Sequence, residues 1–162
     1  MRIGIGFDAH EFAVGRRLVI GGVDIPHPSG LAGHSDADVL LHALCDAMLG
    51  ALALGDIGLH FPNNDARYKG IASTELLRRV AEMISKKGCR VGNVDATIVA
   101  EEPKMAPHVG VMRKNIAAVL GCAEDDVGVK ATTTEGMGFC GRGDGIAAMA
   151  VVLLEKINFN HG

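Results

Sequence analysis

Asp8 and His10 stand two residues apart at the end of the first apolar stretch, and a lone helical histidine, His42, follows the segment His34-Ser35-Asp36. Two imidazoles and one carboxylate form a ligand set that suits zinc, and three protein ligands leave the fourth position for water or substrate. Asp38, His42 and Asp46 are spaced i, i+4, i+8, which puts a carboxylate one turn to either side of the imidazole on a single helix face. A ligating histidine needs an acceptor for its other ring nitrogen, and these two carboxylates are candidates for it. The plain alternative for His42 is a helix face bearing ordinary cap and surface charges; the Asp8-x-His10 segment weighs against it.

Other segments carry chemistry of a weaker stamp. Ser35 is a good N-cap, and backbone N–H groups at a helix start after His34-Ser35-Asp36 are available to phosphate oxygens. Gly55-Asp56-Ile57-Gly58 sets one carboxylate between glycines, where a sugar could approach closely and donate hydroxyls to Asp56. Lys130-Ala131-Thr132-Thr133-Thr134-Glu135 places three hydroxyls and a carboxylate at the end of an expected strand, a group able to position phosphates and a hard divalent cation. Threonine in a strand is also simply a good β-former. Arg142-Gly143-Asp144 reads as a turn whose charges pair at the surface.

The elements that must position these groups follow from periodicity. Ile3, Ile5 and Phe7 alternate with Gly4, Gly6 and Asp8, a strand whose extended geometry must persist to His10 for Asp8 and His10 to share a face. Residues 17–20 and 23–25 predict a hairpin about Gly21-Gly22, followed by a loop from Pro26 to Gly33. A helix is expected from a Ser35 cap to Leu54, stopped by Gly55, and the stretch from Gly55 to Gly70 is expected to be a long loop of the kind that forms lids. Ser73 is expected to cap a second helix reaching Lys87, and residues 107–120 a third, with strands over 94–101, 127–132 and 146–157 and a glycine-rich loop over 133–145.

The 162 residues predict one domain spanning 1–162, with an aliphatic core and many turns, since there are 22 Gly, only 5 Phe, 1 Tyr and no Trp. A net charge of −3, no Lys/Arg run and few aromatics argue against a nucleic-acid partner. Cys45, Cys89, Cys122 and Cys140 show no C-x-x-C spacing and are read as reduced thiols, which with the lack of a secretory leader or apolar span predicts a cytoplasmic protein with no membrane partner.

Ser35-Asp36-Ala37-Asp38-Val39-Leu40-Leu41-His42-Ala43-Leu44, continuing through Asp46-Ala47 to Gly50, closely resembles the signature of the 2-C-methyl-D-erythritol 2,4-cyclodiphosphate synthases. The resemblance also takes in Gly6-Phe7-Asp8-Ala9-His10, Gly55 to Gly58, Asn93-Val94-Asp95, Ala100 through Pro103-Lys104-Met105, Lys130 to Glu135, Gly138-Phe139 and Gly141-Arg142-Gly143, in order along nearly the whole chain. It implies an α/β fold of layered α+β type, with a mixed sheet carrying helices on one face, and a homotrimer with active sites between subunits. The implied substrate is 4-diphosphocytidyl-2-C-methyl-D-erythritol 2-phosphate, cyclised with release of CMP in the non-mevalonate isoprenoid pathway.

By the same resemblance Asp8, His10 and His42 hold Zn²⁺, and Glu135 holds a second divalent cation, Mg²⁺ or Mn²⁺. His34 and Thr133 stabilise the transition state, Ser35 lies beside His34, and Asp56, Ile57 and Gly58 receive the ribose. Phe61, Pro62, Asn63, Asn64 and Asp65 form a lid over the methylerythritol phosphate; relatives often carry Asp where this chain has Asn63. Ala100, Pro103, Lys104, Met105 and Ala106 of a neighbouring subunit form the cytosine pocket, with Ala131, Thr132, Thr134 and Glu135 toward the phosphates. Phe139 and Arg142, with Ile5 and Phe7, face a central channel that in some relatives takes an isoprenoid diphosphate. Two other classes fit parts of the pattern: a metal-dependent phosphohydrolase that activates water with the same ligands, and a non-catalytic trimer that binds isoprenoid diphosphates.

Overall fold

The computed structural model describes residues 1–157. Its centre is strand β1 (Arg2–Val14), which continues extended well past His10. β1 lies in a five-stranded sheet of order β4-β1-β7-β5-β6, with β4 (Ser29–Leu31), β5 (Cys89–Val99), β6 (Val127–Thr132) and β7 (Gly145–Lys156). All neighbours are antiparallel except β5 and β6, so the sheet is mixed. β2 (Leu18–Ile20) and β3 (Val23–Ile25) form the expected hairpin as a separate pair.

Helix α1 (Val39–Ala51) packs on β1 and β7 and is apolar nearly all round, which places it as a central buried helix rather than a surface one. The glycines of β1 set its distance. A Cβ on Gly4 would lie 1.9 Å from the Ala47 carbonyl oxygen, and one on Gly6 equally 1.9 Å from that of Ala43. Only glycine lets the strand and helix backbones meet at that separation. The alternation therefore turns Gly4, Gly6, Asp8 and His10 toward α1, and leaves Ile3, Ile5 and Phe7 on the opposite face, 71, 65 and 57% exposed.

α3 (Ser73–Lys86) covers α1, and α4 (Val109–Leu120) packs on α3 and β6, closed by left-handed Gly121. Three segments expected as loops contain short elements. Residues 26–33 include β4, which pairs with the end of β1. Residues 55–70 include helix α2 (Ile57–His60) and a 3₁₀ turn, Ala66–Tyr68. Residues 133–145 include α5 (Gly138–Gly141). β5 also begins five residues before the expected start at Val94, because its N-terminal half still pairs with β7. No helix among the described residues is long and apolar enough to cross a membrane.

Candidate metal centre

Because β1 stays extended, Asp8 and His10 project side by side under α1, and the strand–helix contact at Gly6 and Ala43 brings His42 over them. Asp8 Oδ2 lies 2.9 Å from His10 Nε2 and 3.1 Å from His42 Nδ1, and the two ring nitrogens are 3.1 Å apart. Ligands about 2.0–2.1 Å from a tetrahedral zinc are spaced about 3.3 Å from one another. The observed triangle needs only a slight spreading to accept such an ion, and the chemistry of the donors, two imidazoles and one carboxylate, fits a divalent metal.

The other ring nitrogens are committed. His10 Nδ1 donates to the Ala32 carbonyl at 2.6 Å, which leaves Nε2 to the centre. His42 Nε2 lies 3.1 Å from Ser35 Oγ and 3.0 Å from Ser73 Oγ, so its Nδ1 faces Asp8. Burial pushes the Asp8 carboxyl up, but hydrogen bonds and charge from His10 and His42 outweigh it and hold Asp8 at about 2. For His10 burial acts downward, and the Asp8 carboxylate beside it prevails and raises it above 6.5.

The expected partners of His42 are corrected. Asp38 and Asp46 do not touch its ring. Asp38, fully buried, is itself the N-cap of α1: it accepts from Leu41 N at 3.1 Å and from Gly21 N and Gly22 N at 2.9 and 2.7 Å, tying the hairpin to the helix. Burial raises it to about 6 in spite of those three donors. Asp46 accepts from Ile57 N at 2.8 Å and anchors α2. For Asp38 the i, i+4 count assumed a helix starting at Ser35, whereas α1 starts at Val39 after Ala37, which has a positive φ of 57°; Asp46 keeps its i+4 place in α1 but is drawn to Ile57 N. Ser35 is accordingly not the cap of α1; its Oγ accepts from Ala37 N at 3.0 Å and turns inward to His42. Ser73 is likewise inside α3 rather than its cap.

Asp8, His10, His34, Ser35 and His42 line one cavity of ≈ 250 Å³, closed opposite by Ile57, Gly58, Phe61 and Asn63. His34 is exposed at its mouth, held from both sides by Arg16, whose guanidinium donates to Gly33 O at 2.9 Å and Ser35 O at 2.5 Å. Neither Arg16 nor Ser73 was singled out in sequence for this site, and no local spacing signals them, since they reach it from 17 or more residues away. Asp56 is exposed and caps α2 through Leu59 N at 2.9 Å. Pro62 and Asn64 are not among the lining residues, and Asp65 caps the following turn while pairing with Arg67 at 2.6 Å.

The remaining expected residues are not brought to this cavity. The register aligns Ala9 with Ala147, Ala147 with Val99, and Val99 with Thr132, so the metal trio and the Ala131–Glu135 segment share one level of the sheet. They are three strand spacings apart, about 14 Å. Ala131, Thr132, Thr133 and Glu135 are exposed there, as is Lys104, while Ala100 and Met105 are core residues that can offer a ligand only backbone groups. Glu101 organises this end: its Oε1 accepts from Thr134 N at 2.9 Å, Thr134 Oγ1 at 3.3 Å and Gly136 N at 3.4 Å. Phe139 and Arg142 are exposed, and Arg142 pairs with Asp144 at 2.9 Å as the turn reading expects.

A mixed sheet with helices on one face and an Asp-His-His triangle opening into a strand–helix pocket defines a small α/β protein built around a candidate metal centre. Residues 1–155 match the model of the YgbB family, and the chain belongs to that family. It is 65% identical over 156 residues to a 2-C-methyl-D-erythritol 2,4-cyclodiphosphate synthase of Geobacter sulfurreducens, covering 96% of this chain and 99% of the relative. A synthase of the same name from Syntrophomonas wolfei is 62% identical over the same shares of the two chains. Among solved structures, a 2C-methyl-D-erythritol-2,4-cyclodiphosphate synthase in a CDP-bound form superposes with a TM-score of 0.88 at 36% identity, covering 95% of this chain and all of that one.

Proposed function

We propose that the chain is a 2-C-methyl-D-erythritol 2,4-cyclodiphosphate synthase, a phosphorus–oxygen lyase of the non-mevalonate isoprenoid pathway. The observation that carries this is the Asp8/His10/His42 triangle beneath His34 in a chain so similar, end to end, to synthases of that name. In the reaction the 2-phosphate oxygen of 4-diphosphocytidyl-2-C-methyl-D-erythritol 2-phosphate forms a bond to the β-phosphorus. The bond from that phosphorus to the CMP oxygen breaks, and no water is consumed. Phosphoryl transfer of this kind needs positioning and charge neutralisation more than a general base.

Zn²⁺ held by Asp8, His10 and His42, and a second divalent cation held by Glu135, would supply Lewis-acid polarisation and neutralise the diphosphate. The protein's own groups do the rest. His34, steadied on both sides by Arg16, donates to a phosphoryl oxygen at the cavity mouth. Thr133 does the same from the loop that Glu101 fixes. Asp56 keeps one carboxylate oxygen for a ribose hydroxyl while the other caps α2. Residues 61–65 fold over the methylerythritol phosphate, and Ala100 to Ala106 receive cytosine through backbone groups and Lys104.

Since the two halves stand about 14 Å apart in one chain, the reading requires a neighbouring copy to complete each site. A homotrimer is supported by the apolar face of Ile3, Ile5 and Phe7, which pair across to Leu153, Val151 and Met149 and would be covered around a central channel. Phe139 and Arg142 would look into that channel, where an isoprenoid diphosphate could sit. The chain acts as one catalytic domain in the cytoplasm. Incubation with the cytidylyl substrate, followed by ³¹P NMR, tests the activity. CMP and a cyclic diphosphate are expected; a linear hydrolysis product would instead identify a phosphohydrolase.

A further inference from the structure

Outside the metal triangle, buried Ser73 and half-buried Asp36 form a polar pair that the proposed reaction does not use. Ser73 is fully buried at the start of α3, and its Oγ donates to Asp36 Oδ1. The same carboxylate accepts from Ser73 N at 3.1 and 3.2 Å, so the proton of the hydroxyl is committed to Asp36. What Ser73 Oγ has left is an acceptor lone pair, and it lies 3.0 Å from His42 Nε2. A hydroxyl that donates to a carboxylate is a better acceptor than a free one, because the hydrogen bonds polarise one another.

We infer that Asp36 and Ser73 are positioning residues that hold His42 in the Nε2–H tautomer and so keep its Nδ1 lone pair aimed at the metal. His42 receives no such service from Asp38 or Asp46, which are spent on backbone N–H groups. Ser35 Oγ, 3.1 Å from the same nitrogen, shares the task but also accepts from Ala37 N. The relay is also a mechanical joint. Asp36 N donates to Ile71 O at 3.3 Å and Gly70 N donates to His34 O at 2.8 Å, so the segment behind residues 61–65 is fastened to the turn that carries His34 and Asp36.

This inference rests on the proposed metal site, and the test separates the two. Zinc affinity of the purified chain is measured by competition with a chromophoric chelator, beside the melting temperature of the metal-stripped protein. The parent, Ser73→Ala, Asp36→Asn and Val80→Ala are compared; Val80 is a buried residue of α3 remote from the relay, and truncating it loosens the same helix. Removing the partner of a ligating histidine typically costs about 10–100-fold in metal affinity. Ser73→Ala is expected near the low end, about tenfold, since Ser35 remains, with Asp36→Asn weaker in effect and Val80→Ala without effect on zinc. Zinc affinity unchanged in Ser73→Ala, or lowered equally in Val80→Ala, would reduce the pair to a cap of α3 and overturn the inference. A parent chain with no measurable zinc affinity would instead overturn the metal site itself.

Discussion

At the metal pocket the ring nitrogens of His10 and His42 have partners within the chain, the carboxylate is shared between two imidazoles, and His42 is almost wholly enclosed. At the other end of the same level of the sheet, Thr132, Thr133 and Glu135 lie exposed, ordered by the end of β6 against β5, by the Glu101 carboxylate on the loop and by Thr133 Oγ1, which accepts from Glu135 N. The contrast separates two kinds of construction. One half is assembled by the core and finished on folding; the other is an exposed surface that the proposed assembly would complete with a second copy.

Experiments that touch one half and spare the other measure this difference. Asp8→Asn removes the charged ligand while leaving the strand intact; turnover is expected to fall about 10³-fold, about 4 kcal/mol of barrier, with metal content lost and the assembly unchanged by sedimentation. Gly6→Ala attacks the scaffold: its Cβ meets the Ala43 carbonyl, and a destabilisation of about 3 kcal/mol is expected in chemical denaturation, together with weaker metal binding. Glu101→Ala frees the loop of Thr133 and Glu135; about tenfold slower turnover with unaltered zinc affinity is expected, and a parallel loss of zinc would erase the distinction between the halves.

Mixing inactive His42→Ala and Thr133→Ala chains in equal amounts, with unfolding and reassembly, should restore about a quarter of the parent activity, since that share of random contacts joins two intact halves. No recovery would place both halves in one chain. The smallest effect is on pH. His10 is raised and Asp8 lowered, so in the metal-stripped protein their pairing stabilises fully below 6.5 on the His10 side and is lost as pH rises through the raised value; on the Asp8 side it is present above 3.8 and lost as pH falls toward about 2. Zinc must displace the His10 proton, so its affinity, read by the same chelator competition, should climb as pH rises through that upper range.

The sequence disclosed the metal trio because two of its members are adjacent on a strand and the third sits in a helix rich in Ala and Leu, all local signals. The patterns predicted a compact α/β protein, and the sheet's mixed character and the helices that cover one face came from the family resemblance alone. What stayed hidden depends on contacts distant in sequence. Ser73 reaches His42 across 31 residues, and Arg16 reaches the His34 turn across 17 and 19. Asp38 and Ser35 exchanged their expected roles because one residue, Ala37, takes a left-handed conformation and delays the helix, and nothing in its type announces that. The alternation in β1 sets Asp8 opposite Ile3, Ile5 and Phe7 as expected, but that Gly4 and Gly6 meet the backbone of α1 is a packing contact the pattern does not show.

Those glycines have a further consequence, for selection among ions. With strand and helix in backbone contact at Gly4 and Gly6, Asp8, His10 and His42 are held near 3 Å from one another, and a slight spreading of the side chains brings them to the spacing of a tetrahedral ion. Calcium asks for six to eight oxygens at about 2.3–2.6 Å, whereas this trio offers one carboxylate and two imidazole nitrogens. The strand and helix thus act as the jaws of a caliper, and the small opening they set is the one the proposed zinc site would use.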